Sequence, residues 1–378
     1  MKGKLLVFLA IALLSTALCA KEITFWFAGG DPTLDLPVVQ RQVEEFEKET
    51  GIKVKLVVVP WAEDPHTKLQ VAIMSGKAPD LVKLGSPFEH VLARFGVLEP
   101  LDGLISEELK EQLLPSVLTA SLYTSITPKD MTGKLISIPY FTDTRAILYR
   151  KDIFQERDVP EPIGWTWSEF VTYAKQLTFD RDGDGKIDVY GFGTAANYTY
   201  QAVMYAWQAG GELMGADDRP AFTTDEFNEG IQFYADLFNV HKVVQPGAIN
   251  VDLWDVRRQL AEGTVAMYID AGDSAKELQK ILGDTLGVGL LPTNEKTGKF
   301  TSYFGSDALV IPKQSRNKAE AAKLLEWLVD KDRMTEYCIV SGFLPARLDS
   351  AADPHFSDSP VVSMYLRQLE DAHAWIAH

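Results

Sequence analysis

A single stretch of the chain, residues 134–152, joins two apolar strand-like runs through a short polar centre. The polar centre is Asp143-Thr144-Arg145, and apolar residues precede and follow it. Because side chains alternate along a strand, Asp143 and Arg145 share one face. This pattern is typical of a strand that passes between two lobes and lines the cleft between them. We therefore predict a two-lobed protein whose chain crosses the cleft here.

The segment before this crossing alternates strand and helix patterns. Residues 22–28, 52–59 and 81–84 are rich in β-branched and apolar side chains, whereas 38–50 and 68–75 have helical spacing. Such alternation favours an α/β fold with a mostly parallel sheet and helices on both faces. Ligands bind such sheets beyond the carboxyl ends of the strands. Those ends are the loops at 28–31, 60–61 and 85–88.

The middle of the chain is richer in helices and aromatic residues, which predicts a second lobe. Val265–Gly272 and Ala308–Pro312 are strand patterns that we interpret as further crossings, three in all. Both lobes would then be discontinuous in sequence. We predict a first lobe of residues 21–141 and 271–309, and a second lobe of residues 142–270 and 310–378.

Residues 1–20 have the pattern of a secretory signal peptide. Two lysines precede an apolar run of residues 5–14, and small residues follow it. We expect cleavage after Cys19 or Ala20 and an exported, periplasmic or extracellular protein. A lipid anchor on Cys19 is a less favoured alternative, because Leu18 is not small. Only Cys338 remains beyond the signal, so an intramolecular disulfide cannot form.

The chain is acidic, with a formal net charge of −16 at pH 7. Such a surface argues against nucleic acid as a partner. Enzymatic motifs are also missing from the sequence: it contains neither a phosphate-binding Gly-Lys-Ser/Thr loop nor a serine nucleophile elbow. We therefore expect a binding protein and not an enzyme.

Seven sequence blocks in order resemble those of the extracellular solute-binding proteins of bacterial ABC transporters, in the sugar-binding branch related to maltose-binding protein. The blocks lie at residues 46–54, 75–82, 96–101, 138–140 with 149–152, 166–170, 263–267 and 342–347. The resemblance implies a type II periplasmic-binding-protein clamshell that captures sugar between its lobes. It also implies a membrane permease as partner, and we expect a monomer that needs no cofactor.

Candidate ligand-binding residues combine carboxylates, amides and arginines with aromatic platforms, as sugar hydroxyls and C–H faces require. Asp143 and Arg145 are the first pair, with a hinge-supporting ion pair as the alternative. The other candidates are Asp31, Trp61, Ser86, Phe88, Asn197, Tyr198, Tyr200, Trp207, Trp254, Asp270, Asp273, Tyr303 and Arg347. Structural alternatives are a turn or helix-cap role for Asp31 and Ser86, core packing for Trp207 and an ion pair for Arg347.

The segment from Asp180 to Asp188 resembles the first nine positions of an EF-hand calcium loop. Carboxylates recur at every second residue around a glycine turn, and the predicted loop residues are Asp180, Asp182, Asp184, Lys186 and Asp188. The twelfth position is Gly191 and not the usual glutamate, which weakens the match. We predict a structural calcium ion, with a solvated Asp-Gly turn as the alternative.

The function predicted from these features is capture of a neutral mono- or oligosaccharide by closure of the two lobes. Two alternatives remain open. A polyamine-binding protein of the same fold would use the acidic residues and cation–π contacts. A secreted carbohydrate-active enzyme would use paired carboxylates.

Overall fold

The structure is a computed structural model that describes residues 21–30, 35–123, 128–215, 217 and 219–374. The signal segment 1–20 and Asp31 lie outside the described residues. Across the described part of the chain, we find no helix that is both long and apolar enough to cross a membrane.

The strands form two separate sheets. They are β1 (Glu22–Ala28), β2 (Lys53–Val59), β3 (Leu81–Gly85), β4 (Ile138–Thr144), β5 (Ala146–Arg150), β6 (Tyr190–Gly193), β7 (Val265–Asp270), β8 (Leu286–Gly289), β9 (Ser302–Val310) and β10 (Ala372–Ala374). The first sheet has the order β10-β9-β3-β1-β2, with β4 also paired to β9. The second sheet has the order β6-β7-β5-β8.

Both sheets are mixed, and the prediction of mostly parallel strands is wrong for the second sheet. In the first sheet β1 pairs in parallel with β2 and β3, and β9 with β10, whereas β9 runs antiparallel to β3 and β4. In the second sheet β5 is antiparallel to both neighbours, and only β6 and β7 are parallel. The antiparallel pairs involve strands that adjoin the crossings between the lobes, where the chain changes sheet without a βαβ connection.

Helices cover both sheets. They are α1 (Leu36–Thr50), α2 (Pro65–Met74), α3 (Phe88–Arg94), α4 (Glu107–Gln112), α5 (Pro115–Ser121), α6 (Lys151–Glu156), α7 (Trp167–Gln176), α8 (Tyr200–Gln208), α9 (Asp225–Asn239), α10 (Leu253–Glu262), α11 (Gly272–Leu282), α12 (Lys318–Leu328), α13 (Lys331–Ser341), α14 (Leu348–Ala351), α15 (Pro354–Ser357) and α16 (Pro360–Leu369). Helix α1 follows the predicted apolar spacing: Val39, Val43 and Phe46 are buried against the first sheet.

The predicted crossing at Asp143-Thr144-Arg145 is present. Strand β4 belongs to the first sheet, β5 belongs to the second, and only Arg145 lies between them. The two strands are thus one extended segment shared by both lobes. Its polar centre lies where the lobes meet.

Neither of the other two predicted crossings lies at its predicted place. After β7 the chain stays in the second lobe, because α11 packs on α10 and β8 pairs with β5. The passage to the first sheet comes between β8 and β9. After β9 the chain again stays, because α12 and α13 pack with α1 in the core of the first lobe. Residues 286–289 therefore pack with the second lobe and residues 318–341 with the first, unlike the predicted bounds.

Candidate functional site

A cavity of about 250 Å³ lies between the two lobes. The first lobe contributes residues that follow the ends of β1 and β2, together with residues of β3, β9 and α13. The second lobe contributes the start of α10 and of α11. The lining residues are Gly30, Asp35, Trp61, Lys83, Asp307, Tyr337, Ser341 and Phe343 on the first lobe, and Trp254, Asp273 and Glu277 on the second. The cavity is therefore where the sheet ends predicted a ligand.

Trp61 forms the first-lobe platform of this cavity. Its indole lies across two glycines at the ends of neighbouring strands, since a Cβ on Gly29 would lie 2.1 Å from its Nε1 and a Cβ on Gly85 would lie 3.1 Å from its Cη2. His66 contacts the indole edge-on, with 5.7 Å between ring centroids. The indole is still 47% exposed. Two glycines and an imidazole thus hold Trp61 in place while one part of it stays open to a ligand.

Trp254 provides an aromatic side chain on the opposite lobe. It is 58% exposed at the start of α10, where Asp252 accepts a hydrogen bond from the Asp255 backbone N–H (2.9 Å) and caps the helix. The guanidinium of Arg257 lies 4.2 Å from the Trp254 ring centroid. The acidic run predicted around Trp254 is therefore a helix cap, and it places the tryptophan at the cavity.

Behind Trp254, Arg257 joins the acidic residues at the start of α11. Its guanidinium pairs with Glu277 and lies 3.6 Å from both Asp270 and Asp273. Asp270 is buried, and its Oδ2 accepts a hydrogen bond of 2.5 Å from Ser274. Burial and the neighbouring Asp270 raise the pKa of Asp273 to about 6, against the attraction of Arg257. Of Asp270 and Asp273, only Asp273 lines the cavity.

The polar centre of the crossing strand forms a buried cluster at the hinge. Arg145 Nη1 donates to Asp143 Oδ2 over 2.6 Å. The guanidinium lies 5.1 Å from the ring centroid of Tyr200 and 5.2 Å from that of Tyr303, so one tyrosine from each lobe flanks it. Asp143 Oδ1 is buried and has no hydrogen-bond partner among the described residues. The structure thus brings together four of the predicted residues, with the ion pair that the sequence left as an alternative.

Ser86 and Phe88 lie at the end of β3, next to this cluster. The Ser86 hydroxyl hydrogen-bonds to the buried Glu89 and accepts from Ser306 Oγ over 3.0 Å. Phe88 stacks on His66 with 4.3 Å between ring centroids. Phe88 therefore supports the side chain that orients Trp61, and Ser86 joins β3 to β9.

Of the predicted site residues that the structure describes, Trp61, Trp254 and Asp273 line the cavity, whereas the hinge cluster, Ser86, Phe88 and Asp270 do not. Four other candidates also lie outside the cavity. Trp207 is buried and stacks on His373, with 4.6 Å between ring centroids, which agrees with its core-packing alternative. Arg347 forms an ion pair with Asp349 (2.7 Å). Asn197 is exposed, and Tyr198 packs on the second-lobe core.

Sequence reasoning missed Lys83 and its partner Asp307. Lys83 is only 2% exposed, lies in the middle of β3, and pairs with the Asp307 carboxylate on β9. A lysine inside a predicted strand usually points to solvent, so its presence there does not by itself indicate a buried site. The signal that could have found it is the run 81–84, where the three side chains besides Lys83 are apolar. A lysine buried among them needs a partner of opposite charge.

The predicted calcium loop brings three carboxylates together. One oxygen each of Asp180, Asp182 and Asp188 lies within 4.8 Å of the others. Asp180 also accepts hydrogen bonds of 2.7 Å from the backbone N–H groups of Gly183 and Gly185, and these contacts lower the pKa of its carboxyl. Asp184 is turned to Lys186, accepting from its backbone N–H over 2.8 Å. The oxygen donor set suits a hard cation.

Comparison with known proteins identifies the family. The pattern of the bacterial extracellular solute-binding proteins matches residues 31–334. A Brucella abortus (strain 2308) protein described as a binding protein is 26% identical over 376 residues, which are 98% of this chain and 87% of that one. The maltotriose-binding protein of Pyrococcus abyssi (strain GE5 / Orsay) is 24% identical over 322 residues, 84% of this chain and 65% of that one.

A solved structure has the same fold. The solute-binding protein of an ABC transporter from Thermotoga lettingae, bound with alpha-D-tagatose, superposes with a TM-score of 0.79 and 26% identity, covering 94% of this chain and 89% of that one. The two-lobed architecture, the cavity between the lobes and the match over residues 31–334 agree with one another. This chain belongs to the family of bacterial extracellular solute-binding proteins.

Proposed function

We propose that this protein captures a neutral mono- or oligosaccharide in the cavity between its lobes and delivers it to the permease of an ABC importer. The observation that carries the proposal is the placement of Trp61 and Trp254, one on each lobe, at a cavity that charged side chains also line. Sugars present apolar C–H faces that stack on aromatic rings and hydroxyls that hydrogen-bond to charged groups. Both kinds of group are available at this cavity.

Closure of the lobes is the proposed binding step. Trp61 belongs to the first lobe and Trp254 to the second, so a ligand that contacts both favours the closed arrangement over the open one. Closure also excludes water, which strengthens hydrogen bonds to the sugar. The closed protein then presents the surface that the permease recognises. Transport of this kind leaves the sugar chemically unchanged, and we propose no catalysis.

The related proteins support the sugar class. The Pyrococcus protein is named for maltotriose and the Thermotoga structure holds alpha-D-tagatose, so a trisaccharide and a monosaccharide both occur among the similar proteins. We propose that the mature protein acts as a monomer outside the cytoplasmic membrane, after export through the signal segment 1–20. The acidic surface argues against a nucleic-acid partner.

A polyamine is the second candidate ligand, and the charge of the cavity favours it. The carboxylates of Asp35, Asp273, Glu277 and Asp307 line the cavity together with a single lysine, Lys83. A cationic amine would be attracted to this excess of negative charge and could also contact the faces of Trp61 and Trp254. Arg257 offsets part of the excess, because it pairs with Glu277 and lies close to Asp273.

A structural calcium ion at the loop of residues 180–188 is a separate proposal. The three converging carboxylates of Asp180, Asp182 and Asp188 support it. A bound ion would neutralise their mutual repulsion and order the loop; it would take no part in sugar binding.

The deciding experiment is a thermal shift of the mature protein against neutral sugars and polyamines, followed by calorimetry. A compound that binds only the folded state raises the melting temperature. At one hundred times its Kd it adds about 2.7 kcal/mol to the free energy of unfolding. We expect at least one neutral sugar to raise Tm by several degrees. A response to putrescine or spermidine with none to the sugars would replace the proposal with the second candidate.

A further inference from the structure

The first-lobe wall of the cavity contains a buried pair of opposite charges, Lys83 and Asp307. The Lys83 ammonium pairs with the Asp307 carboxylate and donates a second hydrogen bond to the backbone carbonyl of Ala28 over 2.9 Å. The side chains are 3% and 13% exposed. A charge this deeply buried is costly unless its partners hold it, so the pair is a fixed feature of the wall.

The pair lies close to the tryptophan platform. The Lys83 Nζ is 5.7 Å from the ring centroid of Trp61 and 4.4 Å from that of Phe27. Asp307 Oδ1 is on the same side: a Cβ on Gly85 would lie 3.5 Å from this oxygen and 3.1 Å from the Trp61 indole. A molecule resting on Trp61 would therefore meet the polar atoms of the pair.

The pair has hydrogen-bonding capacity that the described residues do not use. An ammonium group carries three N–H donors, and the contacts with Asp307 and Ala28 account for two of them. A carboxylate has two oxygens, and Lys83 engages Asp307 through Oδ2. Within the described part of the chain, one N–H donor and one carboxylate oxygen remain on side chains that line the cavity.

We propose that Lys83 and Asp307 determine the specificity of the site by binding two adjacent hydroxyls of a sugar that stacks on Trp61. Lys83 donates to one hydroxyl oxygen, and Asp307 accepts from the neighbouring hydroxyl. This inference rests on the proposed function and assigns it two residues that the sequence did not single out. A donor beside an acceptor matches a vicinal diol, in which each hydroxyl can play either role.

The same pair explains a preference for neutral over anionic sugars. Lys83 and Asp307 neutralise each other, so neither is left to compensate a charge on the ligand. A uronic acid would bring its carboxylate to a cavity that Asp273 and Glu277 also line. An anionic sugar therefore loses affinity relative to a neutral one.

The test is calorimetry on wild type, Lys83→Met and Asp307→Asn with maltotriose, D-tagatose and D-glucose as probes. Hydrogen bonds to charged groups are the stronger ones, so each variant should bind the sugar that wild type prefers about tenfold or more weakly. Lys318→Met is the matched control, because Lys318 forms a 2.9 Å ion pair with Glu99 on the same lobe but does not line the cavity. It should bind like wild type.

A second measurement separates direct contact from a structural role. Monodeoxy derivatives of the preferred sugar each lack one hydroxyl. If Lys83 contacts that hydroxyl, the derivative binds weakly to wild type, but Lys83→Met weakens it no further. A merely structural role would instead lower the affinity of every derivative by the same factor.

The outcomes separate this inference from the proposed function. If wild type binds a probe and both variants bind it within twofold of wild type, the pair is not part of the site and the inference is overturned, while the proposed function stands. If wild type binds none of the three probes and no neutral sugar raises its Tm, both fail. Circular dichroism and a cooperative melt establish that each variant is folded; should Lys83→Met not fold, the isosteric Asp307→Asn decides.

Discussion

Replacement of Arg145 by methionine is expected to destabilise the protein strongly through the buried carboxylate of Asp143. The two side chains are 13% and 10% exposed and the ion pair measures 2.6 Å. Methionine keeps most of the aliphatic length between Tyr200 and Tyr303 but removes the charge. Removing one partner of a buried pair leaves the other uncompensated, which costs about 3–5 kcal/mol. We expect a loss of this size at pH 7.

The loss of unfolding free energy in Arg145→Met should depend on pH, and the direction of this dependence identifies its cause. Burial raises the pKa of Asp143 above its ordinary value of 3.8, and Arg145 opposes that shift. Without Arg145 the pKa rises further, so the folded state holds a proton that the unfolded state has released. Stability of the variant therefore falls as pH rises above about 4, and the penalty is smaller at pH 5 than at pH 7.5.

The assay is urea unfolding of the ligand-free protein at both pH values, monitored by circular dichroism. The double variant Asp143→Asn/Arg145→Met buries no charge and should recover at least half of the loss. Arg258→Met is the control, because Arg258 pairs with Asp255 at the surface with side chains 59% and 41% exposed, and exposed pairs contribute about 0–1 kcal/mol. A loss below about 1 kcal/mol for Arg145→Met would refute the reasoning.

Three further predictions concern the cavity and the acidic loop. Gly29→Ala should weaken sugar binding about tenfold or more by calorimetry, because the new Cβ would lie 2.1 Å from Trp61 Nε1 and φ is +75°; an unchanged Kd would remove Trp61 from the site. Asp273, with its pKa raised to about 6, should make the folded state less stable as pH rises from about 4 to 6, and this slope should vanish in Asp273→Asn when melts are compared across that range. Chelation should lower Tm and calcium restore it if the loop holds the ion, with no response in Asp180→Ala; wild-type Tm that ignores calcium up to about 10 mM contradicts the site.

Features encoded by local sequence were predictable. The crossing at Asp143-Thr144-Arg145 could be predicted, because two apolar strands joined by three polar residues are compatible with few other structures. So could the position of Trp61, since it directly follows a strand end in an α/β pattern. Trp254 likewise follows from its acidic surroundings at the start of a helix, where Asp252 caps α10. In each case neighbouring residues determine the geometry.

Features that depend on pairing between distant segments could not be predicted from the sequence. Val265–Gly272 has the same pattern whether the chain crosses to the other lobe or turns into a local helix. The choice is made by α11, whose Ala275 and Leu278 are buried against the second lobe. In the same way, the helices after β9 stay with the first lobe because Tyr337 packs on Tyr140, with 4.4 Å between ring centroids. Contacts of this range leave no local pattern.

The lysine in β3 illustrates how the two kinds of information combine. On its own strand Lys83 resembles a solvent-facing residue, and Asp307 on β9 resembles one end of an exposed turn. Only the antiparallel pairing of β3 with β9, which aligns Gly85 with Asp307, brings the charges together beneath Trp61. Since that register is set by the buried apolar residues on either side, a shift by one residue would separate the pair and turn the apolar side chains outward. The packing of the first-lobe core therefore determines the polar groups that this cavity offers to a sugar.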